Sequence, residues 1–176
     1  MDKKINLVLN KAGMLGAKYA DVRLQETVGE EISVKNGSVD ALSKNSSKGA
    51  GIRVIVDGAW GFASTNDLSP EALALCVKRA VVIGKASARV VKHSVRLTNV
   101  KPAKAAWKSV VIKDPFNVGL EEKLALLMSA DNILAGVKGV AIREAVMKCF
   151  KISSVFASTE GARIEQTKYE SGAGVT

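Results

Sequence analysis

Histidine is nearly missing from this 176-residue sequence, with His93 as its single copy. One imidazole cannot make a two-histidine zinc site, and no Ser or Cys nucleophile can be matched to a second histidine. His93 itself has no acid or cysteine beside it and sits among basic residues, so it is expected to be an exposed surface residue. Cysteine is equally scarce: Cys76 falls in a helical pattern and Cys149 in a strand pattern, each without a neighbouring Cys or His, the placement of buried free thiols. Aromatics are only 5% of the chain, too few for a base-stacking surface. No apolar run approaches the about 20 residues that span a bilayer, and Met1-Asp2-Lys3-Lys4-Ile5-Asn6 is too polar for a signal peptide. The expectation is a cytoplasmic protein with no membrane partner.

Acidic residues are absent from one long stretch. Between Lys78 and Lys113 the chain carries Lys78, Arg79, Lys85, Arg89, Lys92, Arg96, Lys101, Lys104, Lys108 and Lys113 and no Asp or Glu, which accounts for the net charge of +9. Such an excess can attract phosphates or acidic partners. The charges are spaced singly rather than clustered as in a nucleic-acid arm, so a solvated connection is the preferred reading.

What the chain does have is an ordinary globular balance, 47% hydrophobic and 24% charged, with length enough for a sizeable core without staples. Its organising stretch is 49–67. Asp57-Gly58 predicts a two-residue hairpin turn, because both positions tolerate the positive φ such a turn needs. The turn sets the register: Val56 opposite Ala59, Ile55 opposite Trp60, Val54 opposite Gly61, Arg53 opposite Phe62. One face then carries Ile52, Val54, Val56, Ala59, Gly61 and Ala63, and the other Arg53, Ile55, Trp60 and Phe62. Neither face is polar, which predicts a hairpin inside a sheet, with Gly61 admitting a helix rather than a ligand.

In order, 2–17 reads as an amphipathic helix with Ile5, Val8, Leu9, Ala12 and Leu15 on one stripe, Asp2 as cap and Gly16 near the stop. Period-two alternation follows at Val22 and Leu24, then at Ile32 and Val34, with a break at Val28-Gly29-Glu30. Asn36-Gly37 is a second turn signal, Val39 to Lys44 a returning strand, and 45–49 polar punctuation. Ser69-Pro70-Glu71 opens a helix expected to end near Gly84. Residues 86–116 read as an extended connection with at most a short strand, and 120–134 as a third helix with Leu120, Leu124, Leu127 and Met128 in step and Asn117 or Gly119 as its cap. Strand patterns return at Val140 and Ile142, at Met147 and Cys149, and, after a break, at Val155 and Ala157. Ser158-Thr159-Glu160-Gly161 then turns the chain into 162–169, and 171–176 reads as an end cut within a longer chain. The predicted class is α+β, a mainly antiparallel sheet of meanders and hairpins covered by about three helices.

Gly49-Ala50-Gly51 does not make a phosphate loop, since a strand follows it and no Gly-Lys-Ser/Thr is present. The ordered set of Ala20-Asp21-Val22-Arg23, the glycines and arginine of Gly49, Gly51 and Arg53, Gly61-Phe62-Ala63-Ser64-Thr65 before the capped helix, Trp107, Glu121-Glu122-Lys123-Leu124 and Ser158-Thr159-Glu160-Gly161 closely resembles the N-terminal domain of the TldD/PmbA family. These proteins are named for modulation of DNA gyrase and maturation of a peptide antibiotic. The resemblance spans 5–170.

It implies a cytoplasmic zinc metallopeptidase, often an assembly of an active and a metal-free subunit, that degrades or trims unfolded peptides in a closed cavity. The family's His-Glu-x-x-x-His motif and its later cysteine ligand are absent here, so no catalytic or metal residue carries over and zinc is expected in a C-terminal part of the parent protein. The whole chain, 1–176, is read as one N-terminal domain, with a division into 1–88 and 115–176 joined by a basic connection at 89–114 as the alternative. Its expected role is a substrate-cage and assembly domain, partnered by a like or paralogous subunit and by unfolded peptide. The alternatives are a module contacting DNA or a topoisomerase complex through 78–113, and a purely structural dimerisation domain. The family-motif positions of structural or substrate-proximal interest are Gly49, Gly51, Arg53, Asp57, Gly58, Trp60, Gly61, Phe62, Ser158, Thr159, Glu160 and Gly161.

Overall fold

The computed structural model describes residues 2–176, which form three α-helices and a six-stranded sheet. The helices are α1 (Asp2–Met14), α2 (Pro70–Ala88) and α3 (Leu120–Ala135), and a single 3₁₀ turn covers Pro115–Asn117. The strands are β1 (Tyr19–Lys35), β2 (Ser38–Val56), β3 (Ala59–Thr65), β4 (Lys104–Lys108), β5 (Glu144–Ser158) and β6 (Arg163–Val175), in the order β3-β2-β1-β5-β6-β4. The α+β class, with a mainly antiparallel sheet and three helices, is as the residue pattern predicts.

Turn chemistry sets most of the strand directions. Asn36-Gly37 and Asp57-Gly58 both hold positive φ (49° and 78°, 50° and 77°), the geometry that returns a strand on itself after two residues. The β2–β3 register is the one the turn predicts, from Val56 opposite Ala59 through Val54 opposite Gly61 to Ala50 opposite Thr65. β1 and β5 run antiparallel, since Thr159 N–H donates to Ala20 O at one end and Asn36 N–H to Arg143 O at the other. β4 is the exception: bonds from Arg163 N–H to Ala103 O and from Ser109 N–H to Thr167 O place it parallel to β6.

Several sequence boundaries move. β1 runs unbroken through Gly29, where a Cβ would lie 2.7 Å from Asn45 Oδ1 and 3.2 Å from the Phe150 ring; the glycine serves close approach, not interruption. β2 likewise continues through 45–49, and β5 through the expected break before Val155, while Val140 and Ile142 precede β5 rather than belonging to it. Residues 171–175 are strand. The hairpin is not interior, because β3 is an edge strand, and its second face is open, with Trp60 36% and Phe62 54% exposed.

Two compact units partition the chain: Met1–Glu26, Ser47–Trp107 and Ser153–Gln166 make the first, and Thr27–Ser46, Lys108–Ile152 and Thr167–Thr176 the second. In the first, α1 and α2 cover one face of the sheet over a core that includes Ile5, Val8, Val22, Leu24, Ile52, Val54, Leu73 and Val77. α2 begins as predicted, with Ser69 Oγ accepting from Ala72 N–H at 3.2 Å and proline at the first position. It does not stop at Gly84, which lies inside the helix where α2 meets β3. In the second unit α3 packs Leu127, with Leu124 and Met128, against Ile32, Val34 and Ala145, whereas Leu120 is exposed. Two charged side chains on the same helix are buried: Lys123 pairs with Glu30, and Asp131 receives Arg143 Nε and Nη2, each at 3.2 Å. Cys76 and Cys149 are free and buried, and burial raises both thiols above their ordinary pKa, which leaves them unreactive. Among the described residues no helix is long and apolar enough to cross a membrane.

The tightest packing in the first unit is at Gly61, where a Cβ would sit 2.0 Å from Ala80 O and 2.6 Å from Gly84 N. Both obstacles are helix backbone and cannot step aside. Gly61→Ala should therefore destabilise the fold by about 3 kcal/mol or more in urea unfolding. Gly172→Ala, where nothing lies within 4 Å of the added carbon, should shift stability by less than about 0.5 kcal/mol. Equal effects from the two would show that helix approach does not explain Gly61.

Candidate functional site

On the face of the first unit opposite α1 and α2, adjacent strands bring together Tyr19 and Asp21 of β1, Arg53 of β2 and Trp60 of β3. Asp21 is a carboxylate buried to 3% exposure, a position a charge occupies only with compensation. Arg53 supplies it: Nε donates to both carboxylate oxygens (3.1 and 3.0 Å) and Nη2 approaches Oδ2 at 2.8 Å. Tyr19 donates its hydroxyl to Oδ2 at 3.0 Å. The Arg53 guanidinium lies 5.2 Å from the Trp60 ring centre, and Trp60 meets Tyr19 edge-on at 5.8 Å.

The motif positions gather unevenly around this group. Arg53, Trp60, Gly61 and Phe62 line a shallow cavity of about 330 Å³ together with Ile83 of α2. Gly51 lies beneath the Phe62 ring, where a Cβ would be 3.3 Å away, and Gly49 faces Thr65 O farther along the strand. Asp57 and Gly58 form the hairpin turn; Ser94 packs on Gly58, and Val95 N–H bonds Gly58 O. The 158–161 turn is joined to β1 beside Asp21: Thr159 Oγ1 accepts from Ala20 N–H at 3.0 Å, and Thr159 N–H donates to Ala20 O. Ser158 is buried, bonding Ala162 O through its N–H; Glu160 is exposed and adds negative potential at Tyr19; Gly161 takes φ 91°. Three separate sequence motifs, at 20–23, 49–53 and 158–161, thus meet at one carboxylate.

All ten basic residues of 78–113 are exposed: Lys78, Arg79 and Lys85 on α2, Arg89, Lys92, Arg96 and Lys101 after it, Lys104 and Lys108 bounding β4, and Lys113 beyond. Lys108 and Lys113 fall in the second unit and the others in the first. Lys113 pairs with Glu122, and Lys108 lies 5.7 Å from the Tyr169 ring centre, where Lys151 approaches at 5.4 Å. The second unit holds a larger open cavity of about 540 Å³, lined among others by Lys113, Glu122, Lys123, Leu126 and Cys149.

Sequence reasoning passed over Tyr19 and left Asp21 as part of a motif without a partner. The available signal was the opposite charges of Asp21 and Arg53, each in the middle of an apolar strand.

Chemically the group is a closed set. Burial first, then the Asp21 charge and the Asp21 hydrogen bond, push the Tyr19 hydroxyl up to about 12, so it stays protonated at neutral pH. The Asp21 hydrogen bond raises Arg53 above its ordinary value. Neither side chain offers a base. Among the described residues no three His, Cys, Asp or Glu side chains come close enough to hold a metal ion, and His93 is exposed. These residues do not fit a zinc site, and no step of a reaction is derived through one.

The geometry defines an α+β domain with a motif-bearing aromatic edge and no catalytic group of its own. Residues 20–84 match the family model described as PmbA/TldA metallopeptidase domain 1. A metalloprotease from Methanocaldococcus jannaschii is 25% identical over 147 residues, covering 84% of this chain and 32% of that protein. The crystal structure of a proposed modulator of DNA gyrase from Bacteroides thetaiotaomicron superposes with a TM-score of 0.82 at 17% identity, over 99% of this chain and 40% of the other. TldE from Thermococcus kodakarensis follows with a TM-score of 0.70 at 15% identity, over 97% and 38%. The chain belongs to the TldD/PmbA family, as the motif order predicts. It spans about a third of the length of the metalloproteases it matches.

The Tyr19–Asp21 bond has a pH signature. A hydroxyl raised in the folded state contributes stability that is complete below the unfolded value of 10.0 and is lost as pH rises towards about 12. In an absorbance titration one of the two tyrosines should ionise near 12. Asp21→Asn should lower that midpoint while leaving it above 10.0, since burial is the larger cause. An unchanged midpoint would mean the carboxylate does not act on Tyr19.

Proposed function

We propose that this chain is the N-terminal substrate-cage and assembly domain of a cytoplasmic TldD/PmbA-type zinc metallopeptidase, and that it holds unfolded peptide for a catalytic centre located elsewhere in the parent protein. Zinc, in this reading, belongs to a His-Glu-x-x-x-His motif in a C-terminal part, and the working particle pairs this subunit with a like or paralogous one. The names of the matched relatives support the metallopeptidase class.

The observation that carries the peptide role is an open strand edge in the second unit. β3 pairs with β2 only from Ala50 onward, so the stretch 38–46 has no strand on its outer side among the described residues. Every residue of that stretch is exposed, with Val39 at 49% and Leu42 at 53%. An extended peptide adding to this edge would gain main-chain hydrogen bonds whatever its sequence, and the two apolar side chains would favour unfolded over native segments. The domain therefore concentrates substrate and leaves the chemistry to the metal.

Exposure of all ten basic side chains in 78–113 supports the second reading, contact with DNA or a DNA-bound complex. Phosphate binding of that kind would weaken steeply between low and moderate salt.

The peptide role is tested in the full-length parent protein. Deleting 1–176 should abolish cleavage of an unstructured peptide while zinc content, measured by atomic absorption, stays intact. Cleavage at the undiminished rate after the deletion contradicts the reading, and a flat DNA-binding titration at low salt removes the alternative.

A further inference from the structure

We propose that the outer edge of β3 pairs with β3 of a second copy of this chain, joining two sheets antiparallel across a two-fold axis centred on Phe62. This names the surface and the partner for the assembly role proposed above and is independent of peptide capture.

The register makes the edge explicit. With a two-residue turn at Asp57-Gly58, Val56–Ala59, Val54–Gly61 and Ile52–Ala63 are the hydrogen-bonded pairs, so the N–H and C=O groups of Trp60, Phe62 and Ser64 point away from β2. The neighbouring strand obeys the same parity, since Ile55 O turns outward from β3 and accepts from Lys18 N–H at 2.9 Å. Among the described residues nothing pairs with the outward groups of β3, which ends the sheet.

This edge lacks every usual guard. Ala59-Trp60-Gly61-Phe62-Ala63-Ser64-Thr65 contains no charge and no proline, whereas lone edges normally carry Lys, Pro or a bulge. The rings of Trp60 and Phe62, 36% and 54% exposed, flank the groove on one side. On the other stands Ile83, 46% exposed and next to Val82, 65% exposed, on the outer stripe of α2. Apolar surface thus continues from the strand edge onto the helix, as an interface core requires. The one cation in the groove, Arg53, is neutralised by Asp21, so two copies meet without like charges opposed.

Self-complementarity decides the occupant. Phe62 is the middle residue of the seven, so antiparallel pairing about it uses the whole strand. Phe62 then faces Phe62 of the second copy, Trp60 faces Ser64, and Gly61 faces Ala63, which keeps small residues together where the two α2 helices approach. No other register of β3 on itself employs all seven residues.

The test is sedimentation velocity on the chain at ~100 µM, a range that captures a dimer of micromolar affinity. The expected mass is twice the 18.6 kDa of one chain. Phe62→Lys and Phe62→Glu place like charges face to face across the axis, so each variant alone should run as a monomer with its circular dichroism unchanged. An equimolar mixture of the two should recover the dimer. Phe62→Pro, which removes a single outward N–H and no bond to β2, should also be monomeric. A wild-type monomer at this concentration overturns the proposal. So does a dimer that survives the single charge variants, or a mixture of Lys and Glu variants that stays monomeric. Loss of peptide capture with the dimer intact would count against the peptide role alone.

Discussion

A carboxylate at 3% exposure cannot stay charged without a partner, and that constraint organises the first unit. Asp21 fixes Arg53 with three short contacts, which fixes the side-to-side placement of β1 and β2, and the remaining lone pair takes the Tyr19 hydroxyl. Arg53 in turn orients Trp60, and Thr159 closes the strand end beside Asp21. A one-residue slip of β2 would turn Arg53 to the helix-covered face and leave Asp21 uncompensated. The pair thus specifies register, the best-attested use of a buried ionic interaction.

The opposite face is held by shape. Gly61 lets the backbone of α2 lie directly on β3, and Gly84 presents no side chain at the crossing. The same strand is therefore closed to ligands on one side and open on the other, where Trp60 and Phe62 remain exposed. The second unit uses buried ion pairs as well, Lys123 with Glu30 and Asp131 with Arg143, both from α3 to strand or strand-end residues. Each anchors a helix that has little apolar surface of its own to bury.

Local chemistry was readable wherever one or two residues decide the outcome. Asp57-Gly58 and Asn36-Gly37 dictated turns and hence register, and Ser69-Pro70 dictated a helix start. Glycine misled where tertiary approach, not backbone freedom, explains it: Gly29 and Gly49 sit within continuous strands, and Gly84 within α2. The edge position of β3 was illegible because Trp60 and Phe62 look like core residues until the sheet order is known. Of the site, the family-motif residues were legible but their meeting point was not, since Asp21 and Arg53 are 32 residues apart and nothing local pairs them.

The central claim is that Asp21 and Arg53 act as one unit, and a double-mutant cycle measures that directly. Stability of the wild type, Asp21→Asn, Arg53→Gln and the double variant would be compared by urea unfolding. The account predicts a coupling energy above about 1 kcal/mol, the range of hydrogen-bonded charge pairs with one buried partner. A coupling within about 0.3 kcal/mol of zero, as exposed ion pairs give, would contradict it.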